Sequence, residues 1–174
     1  MYGALTRRSS GKGTRRVTAE KKRGLATAGI RAFGEEDAAS AAEILRQSPQ
    51  AAQWTELGFR ELLGWRGVLA LVSADGRKVN GFIIGRQVAE EAEILNLAVA
   101  TSARRKGEGG ALLKAALGEF RARGVSRVFL EVRESNESGI AFYERNGFSK
   151  SGYRGGYYRE PDESAIAMEK KLPG

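Results

Sequence analysis

The chain has 174 residues, of which 41% are hydrophobic and 29% charged, with 23 glycines, no cysteine and no histidine. This length and balance are typical of a single globular domain. The lack of Cys and His excludes disulfides, thiolate nucleophiles, Ser-His-Asp triads and nearly every zinc site, so we expect no metal. Acid–base chemistry must then come from Asp, Glu, Tyr or Lys.

Residues 1–28 hold most of the net charge of +8, since eight Lys and Arg against the single Glu20 make this segment +7. The segment is rich in Gly, Ser and Thr, which predicts a disordered basic tail before a folded domain over residues 29–174. Three roles for this segment stay open: contact with RNA or another polyanion, a plain solvated tail or residues upstream of the real start, and a transit peptide. We expect the tail to be dispensable for catalysis.

The first half of the chain alternates short apolar runs with turn signals. A strand at "GIRAF" precedes helices at "EEDAASAAEILRQ" and "TELGFRELLG", the second of which is capped by Thr55. The segment "GVLALVSADGRKVNGFIIG" predicts a hairpin that turns at Asp75-Gly76, and "EAEILNLAV" predicts a largely buried strand. No apolar run approaches the roughly 20 residues that span a bilayer, and no signal peptide is recognisable, so we expect a cytoplasmic protein with no membrane contact.

The second half begins with a long amphipathic helix that Gly124 ends. A strand at "RVFLEV" and a short helix from Asn136 to Gly147 follow, and two strands around a long polar loop close the chain. The predicted order is β-α-α-β-β-β-α-β-α-β-β. This order is typical of an α/β or α+β sheet with helices on both faces.

Three glycines lie between the buried strand and the long helix, in "RRKGEGGALL": Gly107, Gly109 and Gly110. Free N–H groups at a helix start bind anions, and glycine lets the backbone approach a diphosphate closely. The P-loop pattern fails at Gly109-Gly110-Ala111, and the Rossmann pattern fails at Leu112. The stretch therefore predicts either a pyrophosphate cradle of another kind or a plain tight turn before a helix.

Four segments now resemble, in order and spacing, the GNAT N-acetyltransferases: "LNLAV", "RRKGEGGALL", "RGVSRVFLEVRESNESGIAFYERNGF" and "YRGGYY...SAIAME". Within that family they resemble the RimI class, which acetylates the N-terminal alanine of a small-subunit ribosomal protein. The resemblance covers about residues 29–171. It implies the GNAT fold, a mixed central sheet with helices on both faces and a splay between strands four and five. Two departures lie in the cradle, where Glu108 replaces a usually apolar residue and Gly110 a usual Arg.

The resemblance also implies acetyl-CoA as cosubstrate and a role for each site residue. Glu131 would be the general base and Tyr143 the general acid for the departing thiolate. The implied cofactor-binding residues are Leu97, Ala98 and Val99 for the pantetheine arm, Arg104, Arg105, Lys106, Gly107, Glu108 and Gly109 for the pyrophosphate, and Asn136 near the pantetheine. The implied acceptor-site residues are Tyr157, Tyr158 and Trp54.

Each of these residues has a structural alternative. Glu131 could pair with Arg133 or Arg145, and Asn136 could only cap its helix. The aromatic side chains could be ordinary core or loop residues. The function that the resemblance implies is direct transfer of an acetyl group to a protein N-terminus, since a thioester needs no protein nucleophile. The alternatives are acetylation of a small-molecule amine and nucleic-acid binding through the basic tail.

Overall fold

The computed structural model describes residues 29–159 and 161–173, so the predicted tail lies outside the described residues, and the division after residue 28 stays a prediction. The predicted order of elements is confirmed. The strands are β1 (Gly29–Ala32), β2 (Val68–Asp75), β3 (Lys78–Val88), β4 (Glu91–Val99), β5 (Arg127–Arg133), β6 (Ser149–Arg159) and β7 (Asp162–Lys171). The helices are α1 (Ala38–Arg46), α2 (Glu56–Leu63), α3 (Glu108–Ala122) and α4 (Glu137–Arg145).

The seven strands form one mixed sheet in the order β1-β2-β3-β4-β5-β7-β6. Every neighbouring pair is antiparallel except β4 and β5, which are parallel. Their pairing runs only from Glu91 opposite Arg127 to Ile94 opposite Leu130. Beyond Ile94 the two strands are no longer paired, which confirms the splay between strands four and five.

A bulge in β4 lies just where the splay begins. Ile84 of β3 pairs with Asn96 and Gly85 pairs with Ile94, which leaves Leu95 as an extra residue. Because side chains alternate along a strand, one extra residue moves every later side chain of β4 to the opposite face of the sheet. Asn96 therefore lies on the side of α1 and α2, where its Nδ2 donates a hydrogen bond to the Ala52 carbonyl at 2.8 Å.

Helices cover both faces of the sheet, as predicted. On one face, α1 and α2 pack over a cluster in which Phe33, Phe59 and Phe82 meet. On the other face, α3 buries Leu112, Leu113, Ala116 and Phe120 against the central strands. The predicted cap of α2 is also confirmed, since the Thr55 hydroxyl accepts a hydrogen bond from the Gly58 N–H at 3.1 Å.

The prediction of a long polar loop between the last two strands is wrong. β6 runs on to Arg159 and β7 begins at Asp162, so "YRGGYYR" is strand. Arg154 pairs with Ala165 and Tyr158 with Glu163, so residues 155–157 form a bulge opposite a single residue of β7. The two glycines, which favour a loop in the sequence, instead lie within that bulge. Tyr157 and Tyr158 are consequently strand residues.

Candidate active site

The splay opens a cleft of about 410 Å³ between β4 and β5. Its walls come from the second half of β4, the turn before α3, the middle of β5, the first turns of α4, and the segment between α1 and α2. Most of the predicted site residues line it. These are Leu97, Ala98, Val99, Arg104, Gly109, Glu131, Asn136, Tyr143 and Tyr158.

One wall of the cleft is an open strand edge. From Leu97 to Val99, β4 pairs with β3 on one side, and its pairing with β5 on the other side has already ended at Ile94. Backbone groups along such an edge can take up an extended chain with amide groups, in the manner of an added strand. This edge is where the sequence predicts the pantetheine arm.

The turn before α3 presents unpaired backbone donors. The first backbone hydrogen bond of the helix runs from the Ala111 N–H to the Gly107 carbonyl at 3.0 Å. The N–H groups of Glu108, Gly109 and Gly110 precede it, so they have no partner within the helix. Arg105 and Gly107 have positive φ values of 62° and 89°. For a non-glycine residue such as Arg105 that conformation is uncommon, and it concentrates at ligand-binding turns.

The basic residues of the turn differ in what they contact. Arg104 donates through Nη2 to the Gln47 carbonyl at 2.7 Å and to the Ser48 hydroxyl at 2.9 Å, and through Nε to the Val99 carbonyl at 3.0 Å. Its guanidinium thus fastens the turn to the end of α1 and to β4. Lys106 donates to the Ser102 carbonyl at 2.8 Å. Positive charge near the cradle is therefore partly engaged by the protein itself.

Glu131 is mostly buried and forms an ion pair with Arg154. Its Oε1 lies 2.7 Å from Nη1 of Arg154, and its side chain is 15% exposed. Hydrogen bonding to the Glu131 carboxylate, together with burial, raises the pKa of Tyr157 to about 12. The ion-pair partner is thus neither Arg133, which pairs with Glu163 at 3.2 Å, nor Arg145.

Tyr143 lies across the cleft on α4, with its ring edge-on to Phe142 and Phe148 at centroid distances of 5.1 and 5.7 Å. Burial raises the pKa of the Tyr143 hydroxyl, and the neighbouring Tyr158 adds to the shift. The hydroxyl therefore stays protonated at neutral pH and can donate a hydrogen bond. Tyr158 is held in turn by the Arg133 guanidinium, which lies 4.0 Å from its ring centroid.

For Asn136 and Trp54, the sequence left both a structural role and a role in the site open. Asn136 caps α4, accepting a hydrogen bond from the Gly139 N–H at 2.9 Å, and it also lines the cleft. Trp54 packs edge-on against Phe59 with ring centroids 5.4 Å apart. Its neighbours Ala51 and Ala52 reach the cleft lining, whereas Trp54 lies behind them against the core.

A second groove, of about 400 Å³, adjoins the cleft at Glu131 and contains a residue that the sequence reasoning missed. Glu93 of β4 lines it together with Phe129 and Arg154. Burial raises the pKa of Glu93, the charge of Glu131 adds to the shift, and Arg154 opposes it. The alternation Glu91, Ala92, Glu93, Ile94 indicates that Glu93 lies on the less buried face. Nothing in the sequence indicates that this face borders the candidate base.

Two kinds of feature are absent from the part of the chain that the structure describes. In residues 29–159 and 161–173, no three Asp and Glu side chains come together as a metal-binding group. Over the same residues, no helix is long and apolar enough to cross a bilayer.

Comparison with known proteins identifies the family. The profile of the acetyltransferase (GNAT) family matches residues 38–148. The ribosomal protein bS18-alanine N-acetyltransferase of Escherichia coli K12 is 38% identical over 133 residues, which cover 76% of this chain and 89% of that relative. The relative of the same name in Haemophilus influenzae is 33% identical over 131 residues, covering 72% and 89% of the two chains.

Solved structures agree with the sequence comparison. The ribosomal-protein-S18-alanine N-acetyltransferase of Escherichia coli superposes with a TM-score of 0.73 at 32% identity, covering 84% of this chain and 96% of that one. Ard1 from Thermoplasma volcanium gives a TM-score of 0.74 at 30% identity, covering 85% and 99%. The matched profile and the similar sequences and structures lead to one conclusion: the chain belongs to the GNAT family of acetyl-CoA-dependent N-acetyltransferases.

Proposed function

We propose that this protein transfers the acetyl group of acetyl-CoA to the N-terminal α-amine of a small-subunit ribosomal protein that begins with alanine. The observation that carries the proposal is the convergence of three features on one cleft. These are the open edge of β4, the unpaired N–H groups at the start of α3, and the Glu131 carboxylate. The names of the relatives from Escherichia coli and Haemophilus influenzae supply the acceptor class.

The cosubstrate would lie along one wall of the cleft. The N–H groups of Glu108, Gly109 and Gly110 would hold its diphosphate, helped by the positive end of the α3 dipole. The edge of β4 from Leu97 to Val99 would hold the amide-containing arm, and Asn136 would contact it from the other wall. The thioester that acetyl-CoA supplies is already activated, so this chain needs no nucleophile of its own.

Glu131 would act as the general base. A peptide α-amine has a pKa of about 7.7–8.0, so most of it is protonated at neutral pH and one proton must leave before attack. Glu131 would take that proton directly or through a water molecule. The amine nitrogen then bonds to the carbonyl carbon of the thioester, and the carbon–sulfur bond breaks as the intermediate collapses. A backbone N–H of the open β4 edge would stabilise the oxyanion.

Tyr143 would assist the departure of the thiolate. A thiol has a pKa of about 8.5, well below the raised pKa of the Tyr143 hydroxyl. Tyr143 is consequently a weak acid towards this leaving group. Its part is to donate a hydrogen bond to the developing thiolate and to relay to the sulfur, late, the proton that the nitrogen loses as the amide forms, so that the Tyr143 hydroxyl ends the reaction protonated.

The acceptor would approach on the side of β6, where Tyr157 and Tyr158 lie next to Glu131. Tyr158 lines the cleft, and the Glu131 carboxylate raises the pKa of the neighbouring Tyr157. In this arrangement the two tyrosines would shape the entrance for the peptide. Trp54 would act less directly, by supporting Ala51 and Ala52 on the opposite wall.

The test is acetylation of a peptide panel, read by mass spectrometry. The panel contains a peptide that begins with Ala, the same peptide with a blocked α-amine and an internal Lys, and a small primary amine. We expect acetylation on the α-amine of the first peptide alone. A lysine ε-amine, with a pKa of about 10.4, is a poorer nucleophile at neutral pH. Modification of lysine or of the small amine in preference to the α-amine would contradict the proposal.

The basic tail would add affinity for a ribosome-associated acceptor. Its charge of +7 over residues 1–28 suits contact with RNA phosphates. The affinity that such contacts supply weakens as the salt concentration increases. In a full-length variant with the eight Lys and Arg of the tail changed to Gln, we expect unchanged peptide acetylation and loss of salt-dependent ribosome binding. Since ribosomal proteins and acetyl-CoA meet in the cytoplasm, the proposal places the enzyme there.

A further inference from the structure

Glu108 is an unexpected residue for an anion-binding turn. It occupies the first position of α3, beside the N–H groups of Gly109 and Gly110. A carboxylate at a helix N-terminus is favourable for the helix itself, because it interacts with those same N–H groups and with the dipole. For a diphosphate that needs the same donors, a carboxylate in that place is both a competitor and a source of repulsion.

The Glu108 carboxylate is bound by a side chain of the sheet. The Ser73 hydroxyl donates a hydrogen bond to Oε2 of Glu108. Ser73 lies on β2, with none of its surface exposed, on the face of the sheet that α3 covers. The carboxylate is thus turned towards the sheet and away from the N–H groups of its own helix.

The first turn of α3 packs closely against the sheet, so the position from which Glu108 contacts Ser73 is fixed. Ser73 pairs with Gly81 of β3. A Cβ atom at Gly81 would lie 3.2 Å from both Leu112 Cδ1 and Val99 Cγ2, so the glycine makes room for the helix start. Glu108 therefore reaches Ser73 from a fixed helix position.

We propose that Ser73 and Glu108 are a positioning pair for the cofactor diphosphate. The Ser73 hydroxyl holds the Glu108 carboxylate against β2, which keeps the N–H groups of Gly109 and Gly110 available to the ligand. When the hydroxyl is removed, the carboxylate turns to those donors and competes with the diphosphate. The inference rests on the proposed placement of the diphosphate at the start of α3.

The test is a double-mutant cycle on the full-length protein, with binding measured by calorimetry for two ligands. Coenzyme A carries the diphosphate, and S-acetylpantetheine carries the same arm without it. Ser73→Ala should weaken coenzyme A binding roughly tenfold, the size of one charge-assisted hydrogen bond, and leave S-acetylpantetheine within about twofold. In turnover, KM for acetyl-CoA should rise in the same proportion while kcat at saturation changes less than about twofold.

The second arm of the cycle separates competition from simple loss of structure. Glu108→Gln should bind coenzyme A a few-fold more tightly than wild type, since it keeps the hydrogen-bond acceptor and removes the charge. Adding Glu108→Gln to Ser73→Ala should restore most of the affinity, because no carboxylate is left to compete. Ser40→Ala on α1, a residue that does not line the cleft, is the matched control and should bind like wild type.

Glu108→Asp provides a variant that leaves the buried strand intact. Its carboxylate is one methylene shorter, cannot reach Ser73, and should weaken coenzyme A binding in the manner of Ser73→Ala. Three results would overturn the proposal. They are wild-type affinity in Ser73→Ala, equal losses for both ligands, and equal losses in Ser73→Ala and the double variant. Failure of the proposed function is separate, since it would appear as a wild-type enzyme that does not acetylate the peptide panel.

Discussion

Arg154 holds the Glu131 carboxylate across an intervening strand. Their Nη1 and Oε1 atoms are 2.7 Å apart, although β7 lies between β6 and β5. The β7 residues in register with them are Ala165 and Ala167, whose methyl side chains leave the space for Arg154 to cross. The Arg154 side chain is 60% exposed and that of Glu131 only 15%. The guanidinium can therefore withdraw into solvent while the carboxylate keeps its place.

We expect Glu131→Gln to lower kcat about 10²- to 10⁴-fold, the usual cost of removing a general base, with acetyl-CoA affinity largely kept. The deficit should shrink as pH rises past the pKa of the acceptor amine, because solvent then supplies the free amine. The measurement is steady-state acetylation of an Ala-starting peptide against pH. Glu119→Gln, on the far half of α3, is the control. A variant with wild-type rates at pH 7 would remove Glu131 from the mechanism.

Tyr143→Phe should also lower kcat, by about ten- to a hundredfold, because the departing thiolate loses its hydrogen-bond donor. Unlike the Glu131 variant, it should show no recovery at alkaline pH, since its role concerns the leaving group and not the amine. The ring contacts with Phe142 and Phe148 are kept in phenylalanine, so thermal stability should be close to wild type. Recovery at high pH would assign Tyr143 to the amine instead.

Gly109→Val should abolish acetyl-CoA binding while the protein remains folded. A Cβ atom at Gly109 would lie 3.6 Å from Val99 and 3.7 Å from Phe142, so the first carbon fits at ordinary contact distance. The two further methyl groups of valine would enter the space where the diphosphate has to approach the helix N-terminus. Calorimetry with coenzyme A measures the loss, and circular dichroism checks the fold. Gly118→Val is the control for glycine removal in the same helix, because a Cβ atom there meets nothing within 4 Å beyond its chain neighbours and the backbone of its own helix.

Asp37→Asn should destabilise the domain by about 2 kcal/mol, since it weakens charge-assisted hydrogen bonds to a buried group. Asp37 is 3% exposed and accepts from Arg31 at 2.6 and 2.8 Å and from the Gly34 N–H at 2.9 Å. The hydrogen bonds from Arg31 hold the pKa of this carboxyl below its ordinary value, against the effect of burial. Urea unfolding measures the free-energy difference, with Glu36→Gln as the exposed control.

The lowered pKa of Asp37 also predicts how the stability of the domain changes with pH. A carboxyl with a lowered pKa in the folded state contributes its full stability above its unfolded-state pKa of about 4, and that contribution is lost as pH falls through the folded value. The stability gap between wild type and Asp37→Asn should therefore be constant near neutral pH and close below about pH 4. A gap that persists in acid would show that the hydrogen bonds do not depend on the charge.

The order of strands and helices was predictable because each element follows from nearby residues. Thr55 and Asn136 mark helix starts through contacts three residues away, and the hairpin turns beside Gly76, whose φ is +58°. The last hairpin was mispredicted because Gly155 and Gly156 signal a loop equally well whether the chain leaves the sheet or bulges within it. Only pairing with β7 distinguishes the two, and pairing is not a local property.

The candidate site also has parts that follow from local sequence and parts that depend on tertiary contacts. The sequence by itself predicted the cradle, since its turn and its free N–H groups lie within one short segment, and the family resemblance implied roles for Glu131 and Tyr143 that stay predictions. Only the tertiary structure decided what surrounds them: Arg154 beside Glu131, Ser73 beside Glu108, and Glu93 in the groove next to Glu131. These contacts depend on the order of the strands in the sheet and on the packing of α3 over its face. A shift of one residue in register would turn the strand residues among them, such as Ser73 and Glu93, to the other face of the sheet, and the strands that fix this register are distant in the sequence.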